Sequence, residues 1–105
     1  MITDELLSLL PEGEHEEVFQ LSDNDYREEV DDTDFLDYLY EVHYVEIRPR
    51  AYRDDFMSNK WCVEVYDWSK KKNNLVTTIA SFNNRKDAVH GALIWYYKEY
   101  CVKNS

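Results

Sequence analysis

Over residues 3–10 and 23–40 apolar side chains recur at three- and four-residue intervals, and from about residue 42 they alternate with polar ones. The first spacing is that of helices and the second that of half-buried strands. Thr3 is placed to cap a short helix, with Asp4 and Glu5 in its first turn and Leu6, Leu9 and Leu10 as its apolar stripe. Pro11 and Gly13 are expected to end it. Glu14 to Leu21 fits a loop or an irregular strand, with Val18, Phe19 and Leu21 tucked under a neighbour. Ser22-Asp23-Asn24-Asp25 has the form of a capping box, which predicts a helix from about Asp23 toward Asp32. On it Asp25, Glu28, Glu29 and Asp32 share a narrow arc, and Tyr26, Val30 and Thr33 share the neighbouring one. Asp34 to Tyr40 reads as helix by Phe35, Leu36, Leu39 and Tyr40, and as strand by Tyr38, Tyr40, Val42 and Tyr44. The helix, to about Tyr40, is preferred.

Val42 to Arg48 is rich in β-branched and aromatic residues and is closed by Pro49, as suits a strand near a sheet edge. Trp61 to Trp68 repeats the pattern with Trp61, Val63 and Val65 on one face. Ser69-Lys70-Lys71-Lys72-Asn73-Asn74 is a polar turn, and Leu75 to Phe82 completes a hairpin. Asn84-Arg85-Lys86-Asp87 is a second capping sequence. The helix after it carries Ala88, Val89, Ala92, Leu93, Tyr96 and Tyr100 on a stripe that must lie on the sheet. The predicted fold is α+β, a three-stranded antiparallel sheet packed against a C-terminal helix, with one or two N-terminal helices. At 105 residues the chain supports one domain, an acidic helical part over 1–41 and a β-β-β-α part over 42–105.

Charge changes the picture. Residues 1–47 hold sixteen carboxylates against Arg27 alone, a formal −15; residues 48–105 hold six acids against eleven bases, +5, which together make the −10 of the whole chain. Such a field repels membranes and nucleic acid from the acidic half and attracts a basic protein surface, mainly at contact range. Carboxylates three or four residues apart on a helix lie about 5–6 Å apart at Cβ, close to phosphate spacing along a strand. The candidate partner-binding residues are therefore Asp23, Asp25, Glu28, Glu29, Asp31, Asp32, Asp34 and Asp37. Tyr26, Tyr38, Tyr40, Tyr44, Trp68 and Trp95 are candidate anchors; most are expected in the core, with Trp68 and Trp95 partly exposed.

Other chemistries find little support. With two glycines in the chain there is no phosphate-cradling loop. Asp31, Asp32 and Asp34 lack the glycine and terminal glutamate placements of a calcium loop, and His15, His43 and His90 form no H-x-x-x-H pair, so no metal or cofactor is expected. No nucleophile motif surrounds Ser81, Cys62 or Cys101, and the chain is read as a non-enzymatic binding protein with its cysteines as free thiols. Met1 to Glu5 has no leader-like pattern and no apolar run reaches a membrane span, which predicts a cytoplasmic protein.

Trp61 to Tyr100, a Trp-x-Val-x-Val strand, basic turn, second strand and helix, resembles the hairpin-plus-helix units of integrase arm-binding domains. That resemblance implies a DNA-contacting sheet with Arg48, Arg50, Arg53, Lys70, Lys71 and Lys72. The element order is also similar to the double-stranded-RNA-binding fold, without a basic patch on the final helix. By size, acidity and compartment the chain resembles small phage-encoded anti-restriction and anti-CRISPR proteins. This implies an inhibitor or decoy, acting in the host cell, that occupies the nucleic-acid groove of a nuclease or defence protein. The alternatives are an immunity protein or antitoxin for a toxin nuclease, and a small nucleic-acid-binding regulator using the basic hairpin.

Overall fold

The computed structural model describes residues 4–19 and 32–101. Its elements are α1 (Asp4–Leu9), α2 (Glu12–Phe19), α3 (Asp32–His43), β1 (Val45–Arg53), β2 (Asn59–Asp67), β3 (Leu75–Phe82) and α4 (Arg85–Trp95), which continues as a π-helical turn over Tyr96–Tyr100. The strands form an antiparallel sheet in the order β1-β2-β3, and α4 lies across all three. This is the α+β architecture the pattern predicts. The reading of residues 23–31 as helix, and Thr3 as a cap, fall outside the described residues.

Strand register sorts side chains by face. Val45 pairs with Asp67, Ile47 with Val65 and Pro49 with Val63, and Val63 and Val65 lie opposite Ile79 and Thr77 on β3. This inner face meets Ala88, Val89, Ala92, Leu93 and Tyr96 of the C-terminal helix, all at most 5 % exposed. Asn84 caps that helix as its sequence predicts, its side-chain oxygen accepting from the Asp87 amide at 2.8 Å. Gly91 lets the Phe82 ring rest on the helix, since a Cβ there would come within 2.7 Å of the ring. Phe35, Tyr38 and Leu39 of α3, Leu6 and Leu10, and Val18 of α2 close the remaining side of the core.

Three sequence expectations need correction. Glu14 to Leu21 is not a loop or strand over its first part, because α2 spans Glu12–Phe19 with Gly13 inside it. Pro11 both ends α1 and introduces α2, its carbonyl accepting from the Glu14 amide, and Glu12 and Glu14 favour the positive helix end. The next helix runs three residues past Tyr40, and β1 correspondingly starts at Val45 rather than Val42. Local β-propensity at Val42-His43-Tyr44 loses to the tertiary anchoring of His43 described below. Pro49 does not close the strand; it sits within β1, where an edge position spares the ladder its missing N–H.

Among the described residues Asp67 is the one charged residue buried on the inner face, at 7 % exposure, and it ties the turn after β2 to the π-helical turn after α4. Its Oδ1 accepts from the Ser69 amide and hydroxyl, and its Oδ2 from the Tyr100 hydroxyl at 2.6 Å. Burial works to raise its pKa, but these donors outweigh it and hold the carboxyl below the ordinary range. Burial and the Asp67 carboxylate push Tyr100 up to about 12.

Candidate functional site

The outward arc of α3 carries Asp34, Asp37, Tyr40 and Glu41, all exposed, while Phe35, Tyr38 and Leu39 point into the core. Helical spacing thus puts three carboxylates and one aromatic ring on a single stripe. Asp32 is the first residue of α3; Asp23, Asp25, Glu28, Glu29 and Asp31, which precede it, lie outside the described residues. Asp34 and Asp37 are therefore the two predicted residues whose side chains can be placed, and they share one face.

Tyr44 extends that stripe past the helix end. It adopts a left-handed backbone, φ 59°, a conformation more often given to glycine at this position. Its amide donates to the Tyr40 carbonyl at 3.0 Å and its ring is 58 % exposed. Tyr40 and Trp68 are also exposed, at 51 % and 43 %. Trp68 joins Tyr44 directly, its backbone amide donating to the Tyr44 carbonyl, and its indole donates to Glu46 Oε1 at 3.0 Å. Of the anchor candidates, then, Tyr38 is core, Trp95 is half-buried, and Tyr40 and Tyr44 are exposed against expectation; Tyr26 lies outside the described residues. Beside the stripe runs an open groove of about 400 Å³, with Leu36, Tyr40 and Ile47 as apolar lining and Asp37, Glu46 and Arg85 as charged lining.

What fixes α3 is a polar cluster that the sequence does not announce. His43 Nε2 donates to Glu14 Oε1 at 2.5 Å, and its Nδ1 lies 3.0 Å from the Tyr96 hydroxyl. Tyr38 donates to Glu14 at 2.8 Å and lies 2.9 Å from Glu17 Oε2; Tyr97 donates to Glu14 at 3.4 Å. One carboxylate of α2 thereby joins α3 to the C-terminal helix. Burial acts to raise the pKa of Glu14, but the hydrogen bonds from His43 and Tyr38 and the attraction of His43 prevail and hold it below the ordinary range. Burial, followed by the nearby carboxylates, drives Tyr38 and Tyr97 upward, so both remain donors. Burial and the Glu14 charge also raise the Cys101 thiol, which disfavours the thiolate a nucleophile needs. The arrangement acts as a clasp that sets the angle of the acidic helix.

On the outer sheet face Arg48, Arg50 and Lys60 are interspersed with Glu46 and Glu64. Arg48 is already engaged, bonded to Glu46 and stacked 4.6 Å above the Tyr66 ring, and Lys60 donates to Asn83. Arg50 shares that face with Glu64, while Lys70, Lys71 and Lys72 sit on the turn at the opposite end of β2 from Arg53. Among the described residues no group of three or more His, Cys, Asp or Glu side chains is arranged to hold a metal ion, and no helix is long and apolar enough to cross a membrane. Cys62 is buried and Cys101 half-buried, both as free thiols. Comparison with family models, with characterised proteins and with solved structures finds no match to this chain, so its reading rests on the geometry above.

Proposed function

We propose that this chain is an acidic binding protein whose α3 face enters the nucleic-acid groove of a basic partner, acting as an inhibitor or decoy of a nuclease or defence protein such as a CRISPR effector or restriction enzyme. The observation that supports this most is the stripe of Asp34, Asp37 and Glu41 interleaved with exposed Tyr40 and Tyr44. A merely solvated face has no use for two half-exposed tyrosines, one of them in a left-handed conformation, whereas an interface uses aromatic rings as anchors within a charged surround. The −15 of residues 1–47 supplies the steering field. An immunity protein or antitoxin for a toxin nuclease would use the same surface and differ in its partner.

The reading is tested by affinity capture from the native cells followed by competition. The captured partner should release its nucleic acid as this chain is added, and the Asp34→Lys/Asp37→Lys/Glu41→Lys variant should compete far less well. Simultaneous binding of nucleic acid and this chain, without competition, would refute the decoy mechanism. A nucleic-acid-binding regulator predicts instead that the chain alone binds duplex, against which stand the engaged Arg48 and Lys60 and the overall −10 charge.

A further inference from the structure

The sheet has two edges, and they are built differently. β1 places Pro49 in its edge and carries Glu46, Arg48, Arg50 and Arg53, the proline and charges that keep foreign strands from pairing. β3 is the opposite edge and has neither a proline nor a charged residue along Leu75–Phe82. Among the described residues it pairs with β2 alone. Every second amide and carbonyl along it therefore faces away from the sheet, and no turn or loop supplies these groups with a partner.

Its side chains suit a further neighbour. Val76, Thr77 and Ile79 are β-branched and half-buried, Thr78 is exposed, and Leu75 is 48 % exposed. Ile79 and Phe82 pack at the rim of the core, and one more strand alongside β3 would cover their open flanks. Pairing with β2 is regular from Val63↔Ile79 to Val65↔Thr77 and shifts register on either side, so the usable edge is short and centred on Thr78.

Local charge names the occupant. From Trp68 to Lys86 the chain holds five bases and no acid. The turn of Lys70, Lys71 and Lys72 lies at the Leu75 end of the strand. At the Phe82 end Lys60 reaches Asn83 Oδ1 at 3.1 Å and Lys86 is exposed in the first turn of α4, while Arg85 lines the groove beside α3. The carboxylates bounding this segment are engaged, Asp67 with Ser69 and Tyr100 and Asp87 with Asn84. Glu64, opposite Thr78 on β2, is the acid nearest the middle of the edge and disfavours a negative charge there.

We infer that the β3 edge takes up an extended segment of a partner protein, uncharged and β-branched over its middle and carrying carboxylates at both ends. Main-chain hydrogen bonds bind it, and the terminal lysines set its register. A second copy fits badly, because two β3 strands paired antiparallel about Thr78 bring the lysine turn of each to the Lys60 and Lys86 end of the other. A nucleic acid also fits badly, because β3 offers no cation over its eight residues, roughly 23 Å at strand rise, along which phosphates would continue. The inference is independent of the α3 reading, whose partner surface is basic.

The test titrates the isotope-labelled full chain with the synthetic peptide acetyl-DDTVTVTDD-amide, and with acetyl-KKTVTVTKK-amide as its charge-reversed counterpart, followed by NMR shifts and amide hydrogen exchange. The acidic peptide should shift β3 resonances and slow exchange of the outward amides between Leu75 and Ile79 by at least about tenfold, and the basic peptide should do neither. Its affinity should fall several-fold as salt is raised. Lys71, Lys72 and Lys86 are exposed and make no hydrogen bond or ion pair among the described residues. Lys71→Glu/Lys72→Glu/Lys86→Glu should therefore melt near wild type and exchange the preference, losing the acidic peptide by about tenfold or more and gaining the basic one. The inference is overturned if the acidic peptide does not bind, if both peptides bind wild type equally or without salt dependence, or if the shifts map away from β3. It is also overturned if oligothymidylate protects the same amides, or if sedimentation shows the chain self-associating through them.

Discussion

Glu14 is predicted to be the most consequential carboxylate for stability, although it is one of sixteen in the acidic half. Its Oε1 accepts from His43 at 2.5 Å, Tyr38 at 2.8 Å and Tyr97 at 3.4 Å, and its side chain is 13 % exposed. Glu14→Ala removes the acceptor of His43 Nε2 and of the buried Tyr97 hydroxyl, while Tyr38 keeps Glu17. Each hydrogen bond to a charged group contributes about 1.5–3 kcal/mol, and the Tyr97 contact is long, so the loss should be about 2–4 kcal/mol. At this chain length that lowers the melting temperature by roughly 10–20 °C. Glu14→Gln keeps an oxygen but not the charge and should lose about half as much. Glu16→Gln, on the exposed side of α2, should stay within about 0.5 kcal/mol of wild type. Because folding lowers the Glu14 pKa, its contribution is complete above the unfolded-state value and is lost as pH falls through the folded one. Urea unfolding followed by circular dichroism across the acid range should therefore show a flatter pH profile for Glu14→Gln than for wild type. An unchanged midpoint for Glu14→Ala, or parallel pH profiles, would refute the clasp.

Asp67→Asn should cost about 1–3 kcal/mol, and the Tyr100 hydroxyl, raised to about 12, should titrate nearer the ordinary value of about 10 in an ultraviolet phenolate titration. The wild-type contribution of Tyr100 is present below the unfolded pKa and lost as pH rises through the folded one. Tyr44→Gly relieves the left-handed backbone and should stabilise the fold by about 0.5–1 kcal/mol in thermal unfolding while weakening partner binding. Leu39→Ala, at 0 % exposure between α3 and the rest of the core, should cost about 2–5 kcal/mol by chemical denaturation.

The sheet and final helix were legible because their signals are local. Alternation from Val63 to Val65, a polar turn and the Asn84 cap each act within a few residues, and β3 falls where its sequence predicts, at Leu75–Phe82. The end of α3 was less so. Val42, His43 and Tyr44 have strand propensity, yet His43 is drawn into the last helical turn by Glu14, twenty-nine residues earlier, and by Tyr96, fifty-three later. Nothing in the spacing of three separated histidines and many carboxylates tells which pair will meet. The acidic stripe was readable as far as Asp34 and Asp37, since helical periodicity alone orients them. Tyr40 and Tyr44 were not, because an aromatic residue at helical spacing normally packs inward.

The most direct test of the acidic-face account is the association rate with the captured partner, measured by stopped flow against ionic strength for wild type and Asp34→Lys/Asp37→Lys/Glu41→Lys. The variant should fold, since all three side chains are exposed. Steering by this face predicts an association rate at least about tenfold lower at low salt and a flattened salt dependence, with the two proteins converging as salt screens the field. Equal rates at low salt with parallel salt slopes would contradict it and leave the stripe as solvated surface.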